Sequence, residues 1–230
     1  MPMVRHDFIS PGALAEALAD AVSADLAKGI AQRGKGVLAV SGGSTPKRFF
    51  KALSNRAIDW ANVAVTLVDE RWVSPDSDRS NAKLVKDLLL QNHAARARFV
   101  PLWGGGETPS DDAIAQVNEH LRDMASPFDA VILGMGNDGH TASFFPEGDT
   151  LDEVLTSKGP ALPLTAPGAG EPRVTLTLPT LLNTRALYLH IEGVGKASTL
   201  EKALEDGPVE AMPVRSVLRQ THTPVHIYFA

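Results

Sequence analysis

With 230 residues, 43% of them hydrophobic and 21% charged, the chain has an ordinary globular composition and can bury a core without disulfides or metals. It has no cysteine, which excludes disulfides, thiolate metal sites and thiol nucleophiles. Its 27 acidic against 22 basic residues give a net charge of −5, which argues against nucleic-acid binding, although a few local cations could still hold a small anion.

No run approaches the roughly 18 apolar residues of a membrane span, and residues 1–10, which include His6 and Asp7, lack the apolar centre of a signal peptide. A cytoplasmic protein is therefore expected. Residues 11–32 read as an amphipathic helix, with Leu14, Leu18, Val22 and Leu26 four apart, Ser10 as N-cap and Pro11 as first helical residue. The apolar run 36–40 is too short for a helix and fits a buried parallel strand. A polar turn at 41–46 leads into a helix over 46–53. The pattern then repeats, with a strand over 63–68 ending on Asp69, Glu70 and Arg71, and a helix over 81–91. A strand over 99–103, a helix over 111–124 and a strand over 128–133 follow. Segment 155–173, rich in Gly and Pro, reads as a covering loop. A strand over 187–191, a helix over 195–204 and a strand over 224–229 close the chain.

Strands alternating with helices predict one α/β domain over 1–230, with a doubly wound, mostly parallel sheet. Ligands in such sheets collect beyond the carboxyl ends of the strands. The polar and glycine-rich clusters at 41–46, 69–71, 134–140 and 192–196 all follow strand ends.

Ser41, Gly42, Gly43, Ser44 and Thr45 sit between a strand and a helix, where free amides and hydroxyls could seat a phosphate. A plain capped turn is the alternative. The run is neither a Walker loop nor a dinucleotide fingerprint. The second cluster holds Gly134, Gly136, Asn137, Asp138, Gly139 and His140. If His140 opens a helix through 141–143, the positive end of that helix favours the neutral imidazole that a general base needs, and Asp138 could orient the ring. The alternative is a surface turn with an incidental histidine. Glu70 fits a structural strand end, whereas Arg71 could grip a phosphate bidentately. Lys196, in a first helical turn, and Arg173, after Pro172, are further candidate cations. The other six histidines, His6, His93, His120, His190, His222 and His226, show no metal-ligand spacing and read as structural or exposed. No GxSxG elbow occurs.

Together these motifs resemble the 6-phosphogluconolactonase family, within the wider group that includes glucosamine-6-phosphate deaminases. The matching pieces are 41–46, 69–73, Ser80 with Asn81, 134–146, 173–179 and 193–196, in the family's order over nearly the whole chain. The resemblance implies hydrolysis of 6-phosphogluconolactone in the oxidative pentose phosphate pathway, without cofactor or metal. It places the phosphate on the 41–45 loop near Arg71 and Lys196, with His140 taking a proton from the attacking water. Asp69, Asn81 and Arg173 would lie around the same pocket, with Gly136, Asn137 and Asp138 supplied by the His140 turn. The expected partner is the small sugar-phosphate lactone, with no nucleic acid and no membrane. The sequence leaves the oligomeric state open, a monomer being the simplest expectation.

The alternatives on the same scaffold are a glucosamine-6-phosphate deaminase or isomerase and a non-catalytic sugar-phosphate sensor. Deaminases usually continue past the Gly-His pair toward Asn-Glu-Pro and carry a tyrosine-bearing form near 71–72. Here the run is Thr141-Ala-Ser-Phe-Phe-Pro146, and Arg71 and Trp72 stand in place of that form. A sensor would carry a DNA-binding segment, for which neither end has room. One departure from the lactonase pattern is Glu192, where the family often has a small hydroxyl residue. Facing inward it would weaken phosphate binding, and facing outward it would not.

Overall fold

The computed structural model describes residues 3–124 and 127–230. The chain runs β1 (Val4–Asp7), α1 (Pro11–Arg33), β2 (Gly36–Val40), α2 (Lys47–Ser54), β3 (Val63–Leu67), β4 (Asp69–Arg71), α3 (Asn81–Leu88), β5 (Arg98–Val100), α4 (Asp111–Arg122) and β6 (Ala130–Leu133). It continues through α5 (Leu151–Thr156), β7 (Ala161–Leu164), β8 (Arg173–Leu176), α6 (Leu178–Leu182), β9 (Leu187–Ile191), α7 (Gly195–Leu204), α8 (Val214–Leu218) and β10 (Val225–Phe229).

Seven strands form one sheet in the order β1-β10-β9-β6-β2-β3-β5, and every pairing in it is parallel. This is the doubly wound α/β architecture that the alternation predicts. From β2 the chain moves outward through β3 to β5, then returns to β6 and moves outward on the other side through β9 to β10. The order therefore reverses between β2 and β6, where a crevice opens above the carboxyl ends. β2, β6 and β9 are buried throughout, which explains their uninterrupted apolar runs. α1 seals one part of the core with Leu14, Leu18, Val22 and Leu26, all fully buried and each contributing about 1.5–3 kcal/mol by the usual area reckoning. Ser10 Oγ accepts from Ala13 N at 3.2 Å, so the expected cap is in place.

Several elements differ from the sequence expectation. The 69–71 segment is a separate strand, β4, in an antiparallel sheet ordered β4-β8-β7. The 155–173 region is not simply a covering loop, because β7 within it pairs with β8. Leu176 N donates to Val68 O at 2.9 Å, which fastens the small sheet to the exit of β3. β1 lies in a segment read only for its lack of a leader, of which residues 1 and 2 fall outside the described residues.

Candidate active site

A cavity of about 280 Å³ occupies the crevice where the strand order reverses. It is lined by Ser41, Gly42, Gly43, Ser44 and Thr45 after β2, by Asp69, Arg71 and Asn81 near β4, and by Gly136 and His140 after β6. Arg173 and Lys196 complete the wall. All the candidate residues named from sequence thus converge on this cavity except Asp138, which stands behind His140, and Asn137. The Asn137 side chain is exposed and does not line the cavity; its backbone carbonyl accepts from Thr199 Oγ1 at 3.4 Å.

The 41–46 turn is held from two sides. Ser41 N donates to Ile132 O at 3.0 Å, which ties it to β6. Gly42 lies so close to Asn81 that a Cβ there would collide with the amide, so only glycine lets the turn approach α3. Asn81 is fixed in turn: its Nδ2 donates to Asp69 O at 3.0 Å and its N to Glu70 Oε1 at 2.8 Å. Glu70 also accepts from Ala82 N, Arg71 N and Ser80 Oγ, at 2.7, 2.8 and 3.1 Å. Burial pushes this carboxyl up, and the backbone amides of Asn81, Ala82 and Arg71 pull partly against it. Glu70 is a structural clamp at the start of α3, and with Ser80 as N-cap it leaves few of that helix's first amides unpaired.

Three cations face the cavity against one lining carboxylate. Arg71 Nη1 donates to Arg79 O at 2.6 Å, and its Nε has no partner. Arg173 is buried, with Nη2 on Ala169 O at 2.5 Å and Nη1 3.9 Å from Asp69 Oδ2. Burial pushes its guanidinium down, and Asp69 opposes that shift. Lys196 Nζ donates to Met135 O at 2.5 Å. Burial also lowers the Lys196 ammonium, against the pull of Asp138 and Glu192. Partly dehydrated cations in a concave site attract an anion far more strongly than surface ones do.

No helix follows His140, which overturns the argument from a helix N-terminus. Residues 141–146 instead make a tight turn, with a bridge from Thr141 to Phe144 and Phe144 N on Thr141 O at 2.9 Å. Ser143 Oγ donates to Asp69 Oδ2 at 2.6 Å and Thr141 Oγ1 to Gly134 O at 2.8 Å. These bonds hold Ala142 at φ 47°, a left-handed conformation costly for alanine. The histidine is oriented by its neighbour instead: His140 Nδ1 donates to Asp138 Oδ1 at 2.6 Å. That bond puts the proton on Nδ1 and leaves the Nε2 lone pair for a water. A Cβ at Gly136 would strike both members of the pair, so the turn can close on them only with glycine. Burial pushes Asp138 up, but its hydrogen bonds from His140 win and hold it below the ordinary carboxylate range. The imidazole packs on Phe145 at a tilt of 31° with ring centroids 4.3 Å apart, and Arg173 lies over the same ring at 5.3 Å.

Phe145 and His190 line the cavity and were not singled out from sequence. His190 is buried, which agrees with the structural half of its reading, and its Nε2 bonds Glu192 Oε1 at 3.0 Å. Glu192 does not line the cavity; its other oxygen lies 3.6 Å from Arg48 Nη1. A signal was available: residues two apart at a strand end share a face, so a His and a Glu in that register should meet. Among the described residues no cluster of His, Asp and Glu is arranged to hold a metal ion, and no helix is long and apolar enough to cross a membrane.

Residues 9–227 match the family model described as glucosamine-6-phosphate isomerases/6-phosphogluconolactonase. The chain is 52% identical over 227 residues to a 6-phosphogluconolactonase of Rhizobium meliloti, covering 98% of this chain and 97% of the relative. It is 49% identical to one of Mesorhizobium japonicum, covering 94% and 91%. The crystal structure of a 6-phosphogluconolactonase from Shewanella baltica superposes with a TM-score of 0.96 at 42% identity, covering 99% of this chain and 97% of that one.

Proposed function

The chain belongs to the glucosamine-6-phosphate isomerase/6-phosphogluconolactonase family, and from that premise we propose that it hydrolyses 6-phosphogluconolactone to 6-phosphogluconate. The observation that carries this reading is the Asp138-held His140, facing the same cavity as Arg71, Arg173 and Lys196. His140 Nε2 takes a proton from water as its oxygen attacks the lactone carbonyl. The tetrahedral intermediate then expels the ring oxygen, which is protonated as the acid forms. A lactone is an activated ester, so a positioned base and a few donors for the developing oxyanion suffice.

The 41–45 turn, Arg71 and Lys196 hold the phosphate, while Asp69, Asn81 and Arg173 shape the wall beside the ring. Residues 1–230 act as one sugar-phosphate-binding domain. The chain works in the cytoplasm as a monomer and binds no nucleic acid, a reading supported by its net charge of −5. The run Thr141–Pro146, tied to Asp69 through Ser143, favours the lactonase over the deaminase, because it ends without the carboxylate expected of a deaminase. The test is acid release from freshly made 6-phosphogluconolactone above its spontaneous hydrolysis, beside ammonia release from glucosamine 6-phosphate. Acid without ammonia is the expected result; ammonia without acid would transfer the chain to the deaminases.

A further inference from the structure

His140 is held on one edge by Asp138, and its face rests on Phe145, which belongs to the turn that follows it. That turn is strained. Two non-glycine residues bracket it in the left-handed region, Ala142 at φ 47° and Glu147 at φ 59°, a conformation that persists only where the surroundings impose it. Between them Ser143 is fully buried and lies outside the cavity lining. Its Oγ donates to Asp69 Oδ2 at 2.6 Å and its N to Thr175 Oγ1 at 3.4 Å, while its carbonyl accepts from Phe145 N at 3.0 Å.

The groups that grip Ser143 belong to one surface. Asp69 and Thr175 are partners across one rung of the β4–β8 ladder, and Arg71 and Arg173 are partners two residues along. Side chains two apart on a strand share a face, so one face of the small sheet carries both the seat of Ser143 and two of the cavity's cations. Arg173 closes the circuit. Its guanidinium carbon lies 5.3 Å from the centre of the Phe145 ring, and its Nη1 lies 3.9 Å from the same Asp69 oxygen that Ser143 holds.

We propose that Ser143 is a positioning residue for the hydrolysis: it locks the strained turn onto the Asp69–Thr175 rung and so fixes Phe145 against the imidazole of His140. Ser143 has no surface in the cavity, so it acts only through Phe145 and Asp69. The lock fixes where the base stands relative to the cations on the same sheet face, and it rests on reading His140 as the base of lactone hydrolysis. Phosphate binding draws on the cations and the 41–45 turn, which is anchored instead to β6 and packed against Asn81. Loosening the lock therefore spoils the attack geometry, which tolerates little displacement, and leaves substrate affinity largely intact.

Ser143→Ala removes a single oxygen atom and should lower kcat by about 10–100-fold, with KM within about threefold of wild type. Ser143→Thr keeps the hydroxyl and should recover most of that kcat. A second signature does not depend on turnover. The ring protons of His140 lie beside Phe145 and feel its ring current, so in Ser143→Ala their NMR signals, assigned by their loss in His140→Gln, should move toward those of a histidine with no ring beside it. Thr175→Val keeps the side-chain shape and removes only the longer of the two anchors; it should show the same changes to a smaller degree, and it decides the matter if Ser143→Ala does not fold. Wild-type kcat with unmoved His140 signals in folded Ser143→Ala would overturn the lock, as would a loss confined to KM or one undiminished in folded Ser143→Thr. His140 signals that depend on Ser143 in a wild type that leaves the lactone intact would keep the lock and remove the lactonase reading; lactone hydrolysis indifferent to the Ser143 hydroxyl would do the reverse.

Discussion

The two carboxylate–histidine pairs of the cavity are wired in opposite senses. After β6, Asp138 takes His140 by Nδ1; after β9, Glu192 takes His190 by Nε2. The first pair is open to water, with side chains 31% and 45% exposed, whereas the second is 2% and 13% exposed. A base must meet water and pass its proton on, which the geometry of the first pair permits and that of the second does not. A third carboxylate, Glu70, is buried against backbone amides and meets no histidine at all, so it serves the frame alone.

The sharpest way to break this comparison is to remove each group in turn. His140→Gln should lower kcat by about 10²–10⁴-fold, the usual worth of a general base, with little change in KM. Steady-state kinetics would read it, and an equal kcat loss in His190→Phe would erase the distinction between the two pairs. Glu70→Ala leaves three amides and a hydroxyl without their acceptor. It should cost at least about 3 kcal/mol and lower Tm by roughly 6–12 °C. A wild-type melting curve would show that water replaces the clamp.

Arg71→Ala should raise KM about 10–100-fold while kcat holds, since hydrogen bonds to charged groups contribute about 1.5–3 kcal/mol. A fall in kcat at constant KM would move Arg71 from the phosphate to the reacting centre.

Asp138→Asn should lower kcat on the order of tenfold, because the amide oxygen accepts from Nδ1 more weakly than the carboxylate and no longer supports the charge that His140 gains as it takes the proton. Its effect on stability has a defined sign. Asp138 is held below its ordinary value in the folded chain, so its contribution is present above the unfolded value near pH 4 and is lost as pH falls through the folded value. Melting temperatures of wild type and Asp138→Asn should therefore differ slightly at neutral pH and converge below about pH 4. A gap that widens in acid would reverse the assignment.

The central sheet was legible because its buried parallel strands leave bare apolar runs: 36–40 and 187–191 coincide with β2 and β9. The small sheet was not. β7 contains Pro163 and lies in a glycine-rich segment, and its pairing with β8 depends on a partner rather than on its own periodicity. β1 carries Arg5, His6 and Asp7 and is an edge strand, so no apolar run announces it. The turn after His140 was misread as a helix because its shape is set by the Ser143–Asp69 bond, which joins residues 74 apart in sequence. The cations and the 41–45 turn could be placed because strand ends of a parallel sheet must converge. His190 was passed over because it sits inside an apolar strand, where a histidine reads as packing.

One paired measurement tests the role of His140 most directly: acid release from freshly prepared 6-phosphogluconolactone by wild type and by His140→Gln, each against the spontaneous rate, with thermal melting to show that both are folded. Rapid release by wild type and almost none above background by the variant is the expected result. Release at the wild-type rate by folded His140→Gln would contradict it, and the base would have to be sought elsewhere in the cavity.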